Sequence, residues 1–505
     1  MISITYSHPG TILISVAITL SLLYQFFRSI SLYVRRQKFK AEHGCQPVLH
    51  HYPHRDPILG LDYIRANLTA LKHKNYLNTV TKRFHDIGAT FDVRVINQPA
   101  IVTAEPENIK AVLALRFQDF TLGNRPQVMG DFLGRGIFTT DGNEWAHSRA
   151  MLRPNFVKEQ VGDLKALERH VQNLFRLIPL NGSTVDLQPL FFRFALDSAT
   201  EFLFGDSVCS LDQSAEANHN FGQAFNYSMG ELALRFRLGP FMAFRRNKKA
   251  TEAFSVCRTY VDRFVDDAMK YRQNHEMKDF EKEGNLFLQE LAKTTDSKER
   301  IRDELLNILV AGRDTTASLL SHMLFEISRK PDVWGCLQKE ASFLEGKPPT
   351  YQQLKEMKYL KFTVQETLRL HPPVPTNVRL CVNDTVLPVG GGRFGDQPIF
   401  VPKGCLVVYT VYAMHRRKDY FGEDVEEFRP ERWEGQRHSW EYLPFNGGPR
   451  TCLGQQYAVT EASYVLVRML QEYKALETRD LQPWTESLTL TVCSENGVKV
   501  VATPA

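Results

Sequence analysis

The residues best able to do chemistry stand in one ten-residue stretch, Phe445-Asn446-Gly447-Gly448-Pro449-Arg450-Thr451-Cys452-Leu453-Gly454. Its cysteine precedes a segment from Gln455 to Tyr473 in which Val459, Ala462, Val465, Leu466 and Met469 fall on one helical face. A thiol at a helix N-terminus feels the positive end of the dipole and nearby free N–H groups, which favour thiolate. Gly448 and Gly454 let the backbone approach something flat and bulky, and Arg450 offers a fork for a carboxylate. A single thiolate held this way suits an axial position on haem iron, where its electron density favours O–O cleavage. A buried, inert cysteine in a turn is the plain alternative for any one of these features alone.

Three further constellations carry chemistry. Asp296 to Lys330 contains no proline, and Asp296 with Glu299 has capping-box spacing, so a helix near ~50 Å long is expected. Its centre reads Ala311-Gly312-Arg313-Asp314-Thr315-Thr316, in which glycine and two threonines are poor helix formers. Thr315 can bond back to the carbonyl of Ala311, and Gly312 leaves space, so a groove for dioxygen is expected there. Trp145 and Arg149, at i and i+4, share a helix face. Glu366 and Arg369, at i and i+3, precede Phe428-Arg429-Pro430-Glu431-Arg432-Trp433; alone, such a pair is a solvated surface feature. The histidines at 50, 51 and 54 sit among Pro53 and Pro57 and read as a rigid loop rather than a metal site.

The ten-residue stretch fits F-x-x-G-x-R-x-C-x-G at every fixed position and resembles the haem-binding loop of the cytochrome P450 superfamily of haem-thiolate monooxygenases. The resemblance implies heme b with Cys452 as its axial iron ligand and with Phe445 and Arg450 among the cofactor-binding residues. It implies that Trp145 and Arg149 contact a haem propionate, and that Arg379, after Pro372-Pro373-Val374-Pro375, binds a second. Asp314 and Thr315 resemble the superfamily's acid–alcohol motif, with Thr315 bonding to bound oxygen and Asp314 helping to deliver protons. Glu366, Arg369 and Arg432 resemble its buried charge cluster, which locks the haem loop and takes no part in catalysis. The implied reaction inserts one atom of O2 into a C–H bond, with electrons from NADPH through NADPH–cytochrome P450 reductase. The central part of the chain is implied to supply the lid over a substrate channel.

Leu133 to Gly142, Ser148 to Pro154, Asp56 to Gly60 and Ala413 to Arg416 are similar to fungal alkane- and fatty-acid-hydroxylating members. That similarity implies terminal or near-terminal attack on a long aliphatic chain. Terminal C–H bonds are stronger than the neighbouring ones, so the pocket must be narrow, with Phe132, Phe138 and Val374 to Val378 as candidates for the constriction. The alternatives are oxidation of an intermediate of fungal specialised metabolism and, in another class, a haem-containing lipid-binding membrane protein without oxygen activation. Asp314-Thr315 argues against the last.

The elements that must position these groups follow from the rest of the chain. At 505 residues it exceeds an average domain, and 43% hydrophobic with 24% charged residues is ordinary for a globular protein. A net charge of +5 gives no argument for nucleic acid, and eight cysteines without C-x-x-C pairs fit a reducing compartment. Thr11 to Phe27 is uncharged and mostly apolar and no cleavage site follows, so residues 1–30 read as an uncleaved, single-pass signal anchor. Arg28, Arg35, Arg36, Lys38 and Lys40 follow it while no Lys or Arg precedes it, which places the main domain, 31–505, in the cytosol on the endoplasmic reticulum membrane.

Phe91 to Val95 and Ile101 to Thr103 predict a hairpin at a sheet edge, and Pro106 opens a helix through Leu115. Thr121 to Thr140 reads as an irregular loop, and Leu164 to Lys293 as mostly helical. Val378 to Leu387 and Ile399 to Tyr409 read as strands, with a last hairpin pairing Leu488–Val492 with Val498–Val501. The fold class expected is mainly α with a small β region: the superfamily's single domain, preceded by one transmembrane helix.

Overall fold

A computed structural model describes residues 9–156, 164–212, 216–239, 242, 245–274 and 286–505. The organising element is the helix Lys298–Ile327, 30 residues and roughly 45 Å at 1.5 Å per residue. Its N-cap is Ser297, whose hydroxyl accepts from Arg300 N at 3.2 Å. The expected Asp296–Glu299 capping box is therefore not the start; Asp296 instead pairs with Arg272. Most of this helix is buried, and its polar residues are buried with purpose. Asp303 accepts from Arg135 N (2.8 Å), Glu304 from Ile137 N (3.1 Å) and Asn307 from Phe138 N (3.0 Å), so one helix face holds the loop after Leu133. The loop comes so close that a Cβ on Gly134 would lie 1.9 Å from Asp303 and one on Gly136 2.2 Å from Asn307. Glycine is required at both places by contact.

The stretch expected as loop from Thr121 is helical over Arg125–Leu133, a helix opened by Pro126. Within the expected helical region the described helices are Lys165–Phe175, Leu187–Phe204, Glu216–Leu238, Lys248–Asn274 and Leu286–Thr294. Positions 213–215, 240–241, 243–244 and 275–285 of that region lie outside the described residues. The helix Leu187–Phe204 packs along the central one, and the Phe-rich stretch from Phe202 supplies core, with Phe204, Phe221 and Phe225 all buried.

The β structure is small and gathered beside the helices. A five-stranded sheet runs in the spatial order Thr90–Val95, Gln98–Thr103, Leu406–Thr410, Thr376–Cys381, Phe120–Thr121. The first two strands form the expected edge hairpin, turned at Ile96 and Asn97, both with positive φ (50° and 60°) as a tight two-residue turn requires. Two strand expectations change. Val378–Leu387 is split: Thr376–Cys381 joins this sheet, whereas Thr385–Gly391 pairs with Gln397–Val401. The C-terminal hairpin pairs Glu486–Leu488 with Val492–Ser494, and Lys499–Pro504 leaves it to pair with Tyr473–Thr478 and Val185–Asp186.

The N-terminal helix runs from Pro9 to Glu42, unbroken through the boundary expected at residue 30. Leu13–Glu42 is long and apolar enough to cross a membrane. Its last turns dock on the domain: Arg36 forks onto Asp384 at 2.9 and 3.1 Å, and Phe39 meets Phe400 edge-on at 5.7 Å. The chain is thus mainly helical with small sheet regions and one apolar N-terminal helix, as expected.

Candidate active site

Between the central helix and the cysteine loop lies a cavity of about 760 Å³. Cys452, Phe445, Arg450, Trp145, Arg149, Arg379 and Thr315 all line it, brought together from four separate parts of the chain. Asp314 does not. It is buried and ion-paired with Arg313 at 2.7 Å. Its chain neighbours Thr315 and Thr316 both line the cavity, so it is the pairing with Arg313 that engages the Asp314 carboxylate elsewhere.

Cys452 opens toward the cavity although protein surrounds it on every other side. Its N–H donates to Phe445 O at 3.0 Å, closing the loop on itself. Burial pushes the thiol up, while the Gly454 N–H and the Arg149 charge favour the thiolate and pull it back. The helix Gln455–Glu472 starts at Gly454, so the sulfur stands at a helix N-terminus. Gly448, at φ 67°, passes so close to Leu113 O (2.0 Å from a built Cβ) that no side chain fits. Its role is close approach to the segment Ala111–Leu115, not to a ligand.

The arginines define the other end of the site's chemistry. Arg149 donates to Thr451 O (2.9 Å), and Arg450 stacks over the Trp145 ring with its guanidinium carbon 4.4 Å from the centroid. Arg450 also pairs with Asp141 at 2.7 Å. Arg379 donates to Val378 O (2.9 Å) and Arg125 to Asn377 (2.8 Å). Burial depresses Arg450 to about 10, Asp141 opposing this and Arg379, Arg125 and Arg149 adding to it. Burial likewise takes Arg125 to about 10, with Arg379 the nearest like charge. Arg125 was missed in the sequence because it lay in a stretch read as irregular loop; Pro126 beside it is the helix-start signal that would have placed it.

Arg125, Arg149, Arg379 and Arg450 thus crowd four positive charges at the cysteine end, with Asp141 as counter-charge to one of them. Such a cluster is stable only opposite anions. A flat group with two carboxylates at one edge and an iron that takes a thiolate meets both demands, so the residues present fit haem.

Thr315 donates to Ala311 O at 2.6 Å, the bond expected from the sequence. Gly312 lines the cavity beside it, and a Cβ there would meet Ala199 at 3.6 Å. Of the candidates for a constriction, Phe138 and Val374 to Val378 line the cavity. Phe132 does not; it is fully buried against Phe254 and Phe225 and belongs to the core.

Behind the loop, Glu366 receives five donors. Arg369 supplies two (2.9 and 2.8 Å), Arg432 one (3.2 Å), Trp433 Nε1 one (3.0 Å) and Arg429 N one (3.0 Å). Glu366 and Arg369 are both wholly buried, so the surface-pair alternative fails here.

The cytochrome P450 family model matches residues 61–500 of the chain. Among curated relatives, the cytochrome P450 monooxygenase himC of Aspergillus japonicus is 55% identical over 93% of this chain and 86% of its own length. The cytochrome P450 monooxygenase fsdH of Fusarium heterosporum is 48% identical over 98% of this chain and 90% of its own length. Cytochrome P450 52A12 of Debaryomyces hansenii is 44% identical over 86% and 88%. With the thiol, the arginines and the threonine around one cavity, these matches place the chain in the cytochrome P450 family of haem monooxygenases.

Proposed function

We propose that this monooxygenase hydroxylates the end of a long aliphatic chain, a fatty acid or an alkane, taken from the membrane that holds its N-terminal helix. The observation that carries the reading is the cavity wall between Thr315 and the outside. Among the described residues it is aliphatic and aromatic apart from a few neutral polar groups and arginine, and holds no Asp, Glu, Lys or His. A wall of that kind favours hydrocarbon over polar substrates. The similarity of Leu133 to Pro154 to chain-hydroxylating members points the same way.

Each residue has a task in this reading. Cys452 would hold haem iron through its thiolate, and Arg125, Arg149, Arg379 and Arg450 would neutralise the haem carboxylates, with Trp145 beside Arg149 at a propionate and Phe445 among the cofactor-binding residues. The bound haem supplies the oxidising chemistry, using O2 and electrons that NADPH provides through NADPH–cytochrome P450 reductase. Phe138 and Val374 to Val378 admit the chain end and turn away its middle. Thr315 holds a hydroxyl at the cavity wall; its one proton rests on Ala311 O and is given to the cavity side when the O–H rotates away from that carbonyl. Asp314, paired with Arg313 and not itself lining the cavity, is the acid that helps deliver protons in this reading. Arg28 to Lys40 on the cytosolic side of the helix orient the domain toward the reductase, at the endoplasmic reticulum.

Two outcomes are expected. Thr315→Ala, lacking the donor, should consume NADPH at near the normal rate while organic product falls at least about tenfold and hydrogen peroxide rises, since a positioned acid is worth about 10²–10⁴. Unchanged coupling would remove Thr315 from the reaction. Microsomes supplied with reductase, NADPH and fatty acids and alkanes of twelve to eighteen carbons should yield terminal alcohols. Oxidation spread along mid-chain positions would refute the constriction, and no turnover of any chain would favour a specialised metabolite.

A further inference from the structure

Five arginines line the cavity, and four of them are accounted for at the cysteine end. The fifth, Arg237, stands apart. It lies in the last turn of the helix Glu216–Leu238, exposed to solvent on one side and on the cavity wall on the other. Its guanidinium donates to Leu488 O on the C-terminal hairpin. Among the described residues it makes no ion pair, whereas Arg235, two positions earlier, pairs with both Glu231 and Asp131. The acid on the hairpin, Glu486, is buried and committed to the N–H groups of Tyr76 and Leu77 (2.6 and 2.7 Å).

The hairpin connects this arginine to the reacting end of the cavity. Val492 O accepts from Ser318 Oγ of the central helix at 2.6 Å, one turn beyond Thr315, and Val492 N donates to Pro373 O at 3.0 Å. From there the hairpin runs outward through Leu490 and Thr489, both on the cavity wall, to Leu488 at Arg237. A stretch of uncharged wall, Leu488 and Leu490 with Thr489 and Thr491 beside them, therefore leads from the Thr315 end to an arginine that makes no ion pair among the described residues.

We propose that Arg237 binds the carboxylate of a long-chain carboxylic acid whose far end reaches Thr315 and Cys452. The inference rests on the chain-hydroxylation reading and deepens it, because it selects acids over alkanes. A guanidinium has five N–H donors in a planar fork, and one bond to Leu488 O leaves enough to grip a carboxylate with two. Among the described residues no acid on the wall competes for it. Placing the charged end at the outside also spares the carboxylate the cost of entering an apolar interior.

The test is a binding titration of the haem-loaded full-length enzyme in detergent at neutral pH. Hexadecanoic acid, its methyl ester and hexadecane are the probes, and the haem absorbance shift is the readout. Wild type is expected to bind the acid at least about tenfold more tightly than the ester. Arg237→Gln should weaken the acid about 10- to 100-fold, the range for hydrogen bonds to a charged group, and leave the ester unchanged. Arg237→Lys should restore part of the preference by keeping the charge. Parallel loss of acid and ester binding in Arg237→Gln would show that the side chain only braces Leu488, and the proposal would fall. So would undiminished acid binding, or a wild type that binds the ester or hexadecane as well as the acid; in that case the chain-hydroxylation reading stands without it. A wild type that binds none of the three probes overturns both.

Discussion

Cys452→Ala should abolish both the thiolate-specific carbon-monoxide band and product formation. Among the described residues the cavity wall holds no histidine and no second cysteine that could take the place of the lost sulfur. Tyr457 also lines the cavity, but burial holds its phenol well above the ordinary range, so it offers no anion near neutral pH. The four arginines are untouched by the substitution, and haem can still be retained through its carboxylates. Two measurements are therefore needed on the same sample: haem content by extraction, and the carbon-monoxide difference spectrum. Loss of the band with haem still present is the outcome expected. A surviving band at full haem occupancy would mean that another residue holds the iron, and the assignment of this loop would be wrong.

What the sequence made legible was local. Cys452, Phe445 and Arg450 lie within ten residues, and Thr315 with Ala311 within one helical turn, so their geometry is set by short-range rules. The arrangements it did not reveal depend on contacts between distant segments. Whether Val492 pairs with Leu488 or the last strand crosses to Tyr473–Thr478 is decided by side chains hundreds of residues from either, and Gln188, which donates to Ser494 O at 2.8 Å, is one of them. Asp314 is instructive in another way. The motif places it next to Thr315 in the chain, but it does not line the cavity and is ion-paired with Arg313. Phe132 and Phe138 show the same limit: six residues apart, equally apolar, one in the core and one on the cavity wall. Neither periodicity nor composition separates them, because the loop between is placed by Asp303, Glu304 and Asn307 on another element.

Removing Glu366 should cost more stability than any other single change outside the cysteine loop. Its carboxylate is wholly buried and gathers Arg369, Arg432, Trp433 and the Arg429 N–H, and Arg369 in turn donates to His415 O (3.0 Å) and Val425 O (2.7 Å). His415 passes the constraint on, because its Nε2 accepts from Leu443 N at 2.9 Å, two residues before Phe445 opens the cysteine loop. Glu366→Ala leaves the buried Arg369 guanidinium without its counter-charge and Arg432 with Asp424 alone, a loss of about 3–5 kcal/mol. Arg369→Ala strands Glu366 in the same way, and the double variant should lose less than the sum because both changes remove one interaction. The cluster also sets an acid limit. Arg369, the Arg429 N–H and Arg432 together hold Glu366 below the ordinary carboxylate range, although burial alone would raise it. A depressed folded value means that its stabilisation is fully present above about 4.3, the unfolded value, and is lost as pH falls through the folded one. Denaturant titrations of the holoenzyme, followed by loss of the thiolate carbon-monoxide band, measure both effects. Glu366→Ala should lose the band at much lower denaturant than wild type, and Glu366→Gln should show a weaker dependence of its midpoint on pH below that value. A Glu366→Ala enzyme that keeps the wild-type midpoint would show that the charge cluster does not hold the loop, and that packing of Tyr442 and Leu443 alone keeps Cys452 in place.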